Sequence, residues 1–571
     1  MKIKHCFTVK LRCIKLISAV SLILIFFSCK QNHAAKEPQI VSTPEMMNDE
    51  VSENLKAVLA FANDNGGKIN DSIKLYTLQV LDAYYTGTNF KAVWSNSENW
   101  LPYADSLYNF LNNSLWFGLY PSDYHLREIK EIRQKILTDS LSRKNATIWT
   151  KADLLLTDAF MRVLKDMYEG RLVDDSISVI HKQSFIDTFF ITTLKSGIDS
   201  NNITSTILNV EPGIIDYHEL RNELKDFAQN MDTTQFLHIN YPYKDTMGFY
   251  RSVHIRLLQE GIGDTGIRRI DSLLIRKEIK KYQENKGLKI DGKAGPEVVN
   301  RLNLSDYEKF RRIALTLDRY KLLLSLPSTF IWVNIPAFKL KVLRNDTVIL
   351  ESKVIVGKPE TRTPVLKSAI TDMVTYPQWT IPESIIKKDI LPALKIDPGY
   401  LSRKGFSLVS YDGQVIDPYQ VDWEKYKTGI PWKVVQGSGD DNALGIFKFN
   451  FNNPYSVYLH DTNQRYLFGN NYRALSHGCV RVQKWKDLAL IITNLDSIYL
   501  EKKGRHQSYN ADSINTWLQN NDRKRIMVYN RVPVYIQYFS CEAKDGKILF
   551  YNDIYGNDQY LSEKYFKRKH F

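Results

Sequence analysis

The segment YLHDTNQRYLFGNNYRALSHGCVRV, residues 458–482, decides how the rest of this chain is interpreted. Polar and apolar side chains alternate at its start, and this alternation predicts a strand over 455–460. On that strand His460 shares a face with Ser456 and Tyr458, opposite the apolar side chains. The sequence therefore predicts that His460 is displayed on the polar face at the end of a strand, where a ligand can reach it.

The end of the same segment, SHGC at 476–479, predicts a tight turn that carries a thiol. Gly478 lets the backbone bend and lets a substrate carbonyl come close. The backbone N–H groups of Gly478 and Cys479 are placed to hold a developing oxyanion. A cysteine thiol has a pKa near ~8.5, so it needs a base or an imidazolium nearby to react at neutral pH. His460 and His477 are the candidates for that partner.

The residue types alone leave other interpretations open. A cysteine is often buried without any chemical role, and a histidine is often an ordinary core or surface residue. His460, His477 and Cys479 would also provide three zinc ligands, although no fourth ligand or Cys-x-x-Cys pair accompanies them. The choice between these interpretations depends on the wider pattern of the chain.

That pattern resembles the catalytic motif of the L,D-transpeptidase family, which has the YkuD fold. In this family a histidine is followed, after a spacer of similar length, by Ser-His-Gly-Cys and often by arginine two residues on. Other stretches resemble further family features: VGK at 356–358, TP at 363–364, PQW at 377–379, NALG at 442–445, and 534–555, which resembles the end of the large YcbB-type members. Tyr376 stands where the family usually has asparagine. The resemblance covers most of the chain after residue 28 and is sharpest over 329–495.

The resemblance implies a role for individual residues. The expected catalytic residues are Cys479 as nucleophile, His460 as general base, His477 in support and Gly478 as part of a backbone oxyanion hole. The expected substrate-binding residues are Arg481, Arg473, Trp379 and Tyr458. For the two arginines, which would bind a carboxylate of the stem peptide, a solvated or structural ion pair is the alternative. No metal and no cofactor is expected, because acyl transfer through cysteine and histidine requires neither.

The function implied by the resemblance is the formation of 3→3 cross-links in peptidoglycan, whose stem peptides and glycan would be the partners. The thiolate would attack the diamino acid of a tetrapeptide stem, D-alanine would leave, and the side-chain amine of a second stem would resolve the thioester. A lid would exclude water and favour the amine. The alternatives are an L,D-carboxypeptidase, an enzyme that attaches a protein to the wall with the same site, and a non-catalytic wall-binding lipoprotein.

The first 28 residues predict export. A basic start leads into an apolar run over 16–27. This run is shorter than the ~20 residues that a membrane span needs, but it suits the core of a secretory signal. Ser28-Cys29 then resembles a lipoprotein signal with lipid on Cys29, and a plain signal peptide or short anchor is the alternative. We therefore expect a periplasmic protein tethered to a membrane, with no nucleic acid as partner despite a net charge of +14.

Length and composition predict a multidomain α+β protein. The chain has 571 residues, of which 43% are hydrophobic and 25% charged, as in globular proteins. Its five cysteines, two of them in the signal, exclude a disulfide scaffold. The expected divisions are a signal peptide (1–28), a tether (29–50), a helical scaffold domain (51–247), a peptidoglycan-binding-like domain (248–305), a mostly β catalytic domain of YkuD-like β-sandwich type (328–498) with a lid insertion at about 378–435, and a C-terminal extension (499–571) that packs on it.

The segment YQENKGLKIDGKAGP, residues 282–296, resembles the small three-helix peptidoglycan-binding domain. The matching residues are Tyr282-Gln283, Gly287-Leu288, Asp291-Gly292 and Gly295. Gly287 is expected to end the preceding helix, and Pro296 to begin the next one. A helical hairpin without a ligand is the alternative.

Overall fold

The structure is a computed structural model that describes residues 39–172, 175, 187–232, 234, 236–263, 271–286, 288–323 and 326–567. The predicted signal peptide and its lipidation site, Cys29, lie outside these residues, and so does Gly287. Among the residues described, no helix is both long enough and apolar enough to cross a membrane.

Helices dominate the described residues up to 321, and six more helices follow among the later strands. Their bounds are α1 Pro44–Asp64, α2 Leu78–Gly87, α3 Pro102–Asn112, α4 Leu126–Thr138, α5 Ser140–Arg143, α6 Ala146–Tyr168, α7 Asp187–Asp199, α8 Ile203–Leu208, α9 Ile215–Gln229, α10 Thr246–Gln259, α11 Ser272–Asn285, α12 Pro296–Leu302, α13 Asp306–Lys321, α14 Glu383–Ile385, α15 Leu391–Ile396, α16 Tyr400–Arg403, α17 Trp485–Lys502, α18 Ala511–Gln519 and α19 Asn557–Tyr565.

Apart from two short strands at 95–96 and 99–100, the described strands lie from residue 329 onward. Their bounds are β1 Ser95–Asn96, β2 Asn99–Trp100, β3 Thr329–Asn334, β4 Lys339–Arg344, β5 Thr347–Gly357, β6 Leu366–Thr375, β7 Trp379–Thr380, β8 Phe406–Val409, β9 Val415–Ile416, β10 Lys433–Gln436, β11 Phe447–Phe451, β12 Leu459–His460, β13 Ala474–Ser476, β14 Val480–Val482, β15 Arg525–Met527, β16 Pro533–Gln537, β17 Cys541–Lys544 and β18 Lys547–Phe550.

The described residues form two compact units. The first takes in the described parts of Met1–Leu111, Tyr124–Val163 and Phe185–Thr206, and the second those of Asn112–Asp123, Leu164–Ser184 and Ile207–Phe571. The first unit is mostly helical, and the second contains the strand-rich region. The helix expected over 150–164 is confirmed as part of α6, and its residues Leu154 and Met161 are fully buried.

Ten strands of the second unit form one sheet in the order β11-β12-β14-β5-β4-β3-β16-β6-β15, with β13 paired to β5. Strand β6 pairs with β16 along residues 366–369 and with β11 along residues 370–375. The sheet therefore closes on itself, and the two layers expected of a sandwich are joined through β6.

The core of the closed sheet is filled by apolar side chains from alternate strand positions and from helices α17 and α18. Leu340 and Val342 of β4 point inward, and α17 adds Trp485, Leu488 and Ile492 to the same core. The sequence of residues 484–495 predicts a helix, which is confirmed as α17 and continues to Lys502. This core is the platform on which the ends of β12 and β14 are held.

Residues 378–435, predicted as an insertion, have a small sheet and an apolar core of their own. The sheet has the order β7-β10-β8-β9, and its core contains Ile386, Leu394 and Trp423. The sequence of the insertion also predicts a helix near 383–394. It is confirmed as α14 and α15, which are joined by a wider π-helical turn over Ile386–Ile390. We call residues 378–435 the lid segment below.

The region predicted to resemble a three-helix domain contains α10, α11 and α12 around a shared core. The Gln283 side chain donates to Asp291 at 2.9 Å and accepts the N–H of Gly292 at 2.8 Å. These two motif pairs therefore hold the turn between α11 and α12, which is a structural role. Binding of peptidoglycan by this domain stays a prediction.

The strand predicted over 455–460 is shorter than expected. Only Leu459 and His460 belong to β12. The Asn453 side chain accepts the N–H groups of Tyr455 and Val457, each at 3.0 Å, and Ser456 has a left-handed φ of 55°. This side-chain-bonded turn competes with the strand, as asparagine often does, and it ends just before the site.

Candidate active site

Two neighbouring strands bring the predicted nucleophile and base to the same face of the sheet. Strands β12 and β14 run parallel, with Leu459 opposite Val480 and His460 opposite Arg481. Leu459 and Val480 point into the core. Because side chains alternate along a strand, His460 lies on the opposite face, and so does Cys479, which immediately precedes β14.

Cys479 and His460 line one cavity of about 310 Å³. The ends of β12 and β14 form one wall of this cavity. The lid segment forms part of another, through Trp379, Pro382, Glu383, Ser384 and Ile385. The predicted substrate-binding residues Trp379 and Tyr458 thus both face the cavity that contains the thiol.

His460 is a neutral base in this environment. It is only 4% exposed. Burial, and then the nearby charge of Arg481, lower its pKa to about 3, against backbone hydrogen bonds at Asp461 and Leu444 that raise the pKa. Its Nδ1 is buried and has no hydrogen-bond partner among the described residues. A neutral imidazole with an unoccupied nitrogen can accept a proton.

Cys479 is a free, partly buried thiol. Its Sγ lies 3.8 Å from the carbonyl oxygen of Ser456. Burial raises the pKa of the Cys479 thiol, while hydrogen bonds from Tyr458 and the charges of Lys448 and Arg481 lower it. The balance favours the protonated thiol, so the resting site holds a thiol and a neutral imidazole.

Tyr458 and Lys448 surround the thiol and the imidazole. The rings of Tyr458 and His460 lie edge to face with centroids 5.5 Å apart, and Nζ of Lys448 lies 3.9 Å from the centre of the Tyr458 ring. Lys448 is opposite His460 in the pairing of β11 with β12. The sequence analysis missed Lys448, because a lysine on an alternating strand gives no signal until the strand pairing is known.

The turn at 476–479 is closed by its own side chain. Ser476 Oγ donates to the Cys479 carbonyl at 2.6 Å and accepts the N–H of Gly478 at 3.1 Å. Gly478 has a φ of +118°, which side chains other than glycine rarely tolerate. The N–H of Gly478 is thus already bound within the turn, and its part in an oxyanion hole stays a prediction. The N–H of Cys479 has no acceptor among the described residues.

The two predicted arginines have different surroundings. Arg481 lines the cavity, and it donates through Nη1 to Gln464 at 3.0 Å while its buried Nε has no partner within the described chain. Arg473 is 8% exposed and donates to the carbonyls of Val354, Phe338 and Asn470. These bonds favour the structural alternative for Arg473, because its donors hold the backbone beside β5; substrate binding by Arg473 stays a prediction. Binding of a substrate carboxylate by Arg481 stays a prediction.

His477 faces the lid segment. Its Nε2 lies 3.0 Å from a carboxylate oxygen of Asp389, and both side chains are 40% exposed. This partner was not predictable from sequence, because Asp389 is 88 positions away in an insertion. The contact connects the turn that carries the nucleophile to the helix of the lid segment.

Tyr376, which departs from the family pattern, has a left-handed φ of 43°. Asparagine adopts this conformation more readily than tyrosine does, which accounts for the residue usual in the family. Here the tyrosine is fixed by burial and by a hydrogen bond from its hydroxyl to the Leu518 carbonyl at 3.1 Å. Tyr376 does not line the cavity that contains the thiol.

The structure also shows the surroundings of Cys541 and bears on the zinc alternative. Cys541 is fully buried, with Sγ 3.2 Å from the Thr316 hydroxyl, and it is free, as is Cys479. No three His, Cys, Asp or Glu side chains in the described ranges are grouped as metal ligands.

Comparisons with known families match two parts of the chain. The L,D-transpeptidase catalytic domain, YkuD, matches residues 328–524, and a scaffold domain matches residues 79–224. The first range contains β3 to β14, the lid segment and the cavity. The second contains α2 to α8 and most of α9.

The chain is also similar to individual proteins. A Haemophilus influenzae protein named "Putative L,D-transpeptidase" is 38% identical over 232 residues, which is 41% of this chain and 45% of the relative. The chain thus matches less than half the length of this relative. A solved structure titled as the Ldtfm–avibactam carbamoyl enzyme aligns with 48% of this chain and 84% of its own, at 10% identity and a TM-score of 0.16. So low a score supports no statement about this chain.

Proposed function

We propose that this chain, which carries the catalytic domain of the L,D-transpeptidase family together with a scaffold domain, forms 3→3 cross-links in peptidoglycan through a thioester on Cys479. The family match supports the reaction class. The observation that carries the residue assignment is the single cavity shared by Cys479, His460 and the lid segment.

The first half-reaction forms the thioester. The Cys479 proton moves to Nδ1 of His460 while Sγ bonds to the carbonyl carbon of the third residue, a diamino acid, in a tetrapeptide stem. The bond from that carbonyl to the nitrogen of D-alanine then breaks, and the imidazolium gives its proton to the departing amine. The free Nδ1 and the neutral state of His460 support this role.

The second half-reaction transfers the acyl group to an amine. The side-chain amine of another stem attacks the thioester and gives a proton to His460, and the Cys479 thiolate leaves and takes that proton back. The N–H of Cys479 stabilises the oxyanion in both halves. The lid segment limits the access of water to the thioester, and Arg481 binds a stem carboxylate.

We also propose that the reaction takes place outside the cytoplasmic membrane. The signal-like first 28 residues support export, and Cys29 would carry the lipid. The substrate, a cell-wall polymer, would be reached from that tether.

The test compares two cysteine variants of the full chain. Wild type and Cys541→Ala are expected to gain the mass of a carbapenem on one thiol and to convert disaccharide-tetrapeptide into 3→3 dimer with release of D-alanine. Cys479→Ala is expected to do neither, because it lacks the nucleophile. Cys541→Ala is the matched control, since it removes the other free thiol of the residues that the structure describes. Tripeptide without dimer would indicate hydrolysis, and dimer formation by Cys479→Ala would contradict the proposal.

A further inference from the structure

The C-terminal extension reaches the catalytic turn through a closed set of hydrogen bonds. The Tyr555 hydroxyl donates to the Gly357 carbonyl at 2.7 Å and accepts the N–H of Thr363 at 3.1 Å. The Thr363 hydroxyl accepts the N–H of Gly357 at 2.8 Å and donates to the Gly478 carbonyl at 2.7 Å. The Tyr555 and Thr363 hydroxyls each donate one hydrogen bond and accept one, so each hydroxyl proton has a partner.

The residues of this hydrogen-bonded set are buried and closely packed. Tyr555 is 5% exposed and Thr363 is 2% exposed. A Cβ on Gly357 would lie 2.1 Å from the Thr361 carbonyl oxygen, so this part of the loop is already in close contact. The N–H of Tyr555 donates to the Tyr538 hydroxyl at 3.0 Å, which fixes Tyr555 to the strand region of the extension. Buried networks with every member satisfied are rigid.

The Gly478 carbonyl determines where the next N–H points. In a trans peptide unit the C=O of one residue and the N–H of the following residue lie in one plane and point in opposite directions. Thr363 holds the Gly478 carbonyl, so the N–H of Cys479 is directed the opposite way. Among the described residues that N–H has no acceptor, whereas the N–H of Gly478 is bound to Ser476.

We infer that Thr363 and Tyr555 are positioning residues that orient the oxyanion donor of Cys479 through the Gly478 carbonyl. The inference rests on the proposed function only in that acyl transfer to Cys479 passes through a tetrahedral oxyanion. The extension thus contributes to the reaction without touching the substrate. The sequence places Tyr555 76 positions from Cys479, in a different predicted division of the chain.

The test compares two reactions of the same thiol in the full-length protein. Acylation by a carbapenem forms an oxyanion, whereas alkylation by iodoacetamide displaces iodide at carbon and forms none. Tyr555→Phe removes only the hydroxyl and is expected to slow acylation about tenfold, since small misplacements remote from the chemistry can cost up to ~100-fold. Alkylation of the same variant is expected to keep the wild-type rate and pH profile, because the thiol and its base are untouched.

Matched variants separate positioning from loss of stability. Tyr551→Phe removes a tyrosine hydroxyl that binds Glu542 in the same extension, and it is expected to leave both rates unchanged. Thr363→Val is expected to slow acylation at least as much as Tyr555→Phe, and Thr363→Ser to recover most of the rate. The double variant should be no slower than Thr363→Val, since both residues act through one carbonyl.

Two outcomes would overturn the inference: acylation of Tyr555→Phe at the wild-type rate, or a loss of alkylation equal to the loss of acylation. The second would show that the hydroxyl only maintains the fold. Wild-type protein that is acylated but never forms a dimer would refute the proposed function and leave this inference standing.

Discussion

Cys479 and His460 form an uncharged pair before substrate arrives. Burial raises the pKa of the thiol, and burial together with Arg481 lowers the pKa of the imidazole to about 3. An imidazolium–thiolate pair is therefore unfavourable in the free site. The proton leaves sulfur as the new bond to carbon forms, so the reactivity depends on a carbonyl held at the oxyanion donor.

Alkylation of Cys479 is expected to follow this protonation state. In the free protein its rate with iodoacetamide should rise with pH and reach half of its maximum above ~8.5, the ordinary pKa of a cysteine. The direction follows from the sign of the shift, because a raised pKa requires more alkaline solution to populate the thiolate. Intact mass at increasing pH, in the Cys541→Ala background, measures this profile. A midpoint below the ordinary value would indicate a preformed ion pair instead.

Single residues were predictable where local sequence determines the chemistry. The spacing of His460 and of the SHGC turn predicts both residues that share the cavity. The surroundings of Arg473 were not predictable, because two of its three carbonyl partners, Val354 and Phe338, lie more than 100 positions away. The use of the Gly478 N–H by Ser476 depends on the conformation of the turn, which residue types do not specify.

At the level of elements, an exposed contact between His477 and Asp389 connects the lid segment to the catalytic turn. Its own core is apolar and separate, so the segment can hold its shape independently of that contact. The pair of His477 with Asp389 is then the link between the helix of the lid segment and the residues next to the nucleophile. Exposed pairs of this kind contribute ~0.2–1 kcal/mol.

Removing that link is expected to admit water to the thioester. Asp389→Asn should raise the ratio of tripeptide to dimer by up to about fivefold, the factor that corresponds to ~1 kcal/mol. Glu424→Gln is the matched control, because it removes another exposed carboxylate of the lid segment, which binds Lys395 at 3.3 Å. Product analysis by mass spectrometry gives the ratio. An equal change in Glu424→Gln would mean that the charge of the segment, rather than the contact, is responsible.

Elements were predictable where periodicity is strong. The helix of residues 485–502 and strand β4, in which Leu340 and Val342 alternate with lysines, agree with the spacing of apolar residues. The strand expected at 455–458 failed because Asn453 offers its side-chain oxygen to two backbone N–H groups. An alternating pattern cannot show that such a local bond is available.

The whole second unit depends on segments that are far apart in the chain. Strand β16, at Pro533–Gln537, pairs with both β3 and β6 and completes the closed sheet. The outer face of β3 packs in one core with Tyr217 and Leu220 of α9 and with Phe310 of α13. The sequence shows that α9 has an apolar face but not which surface covers it, so its association with the strands was not predictable.

The closure of the sheet leads to a prediction about truncation. A chain that ends after Lys524, where the family match also ends, lacks β15 and β16. It is expected to lose cooperative unfolding, because β3 and β6 would present unpaired edges and the core would lose Val534 and Ile536. Thermal unfolding followed by near-ultraviolet circular dichroism measures this loss.

The matched control removes a similar length from inside the chain. Replacing residues 378–436 by a short Gly-Ser linker deletes the lid segment, whose core is its own, and its ends are close because Ser438 donates to the Tyr376 carbonyl at 2.7 Å. This variant is expected to unfold cooperatively, since every pairing of the closed sheet remains. Cooperative unfolding of the chain that ends at Lys524, with carbapenem acylation retained, would show that the sheet does not need β16. Because that chain also lacks Tyr555, acylation at the wild-type rate would contradict the positioning role of Tyr555 as well.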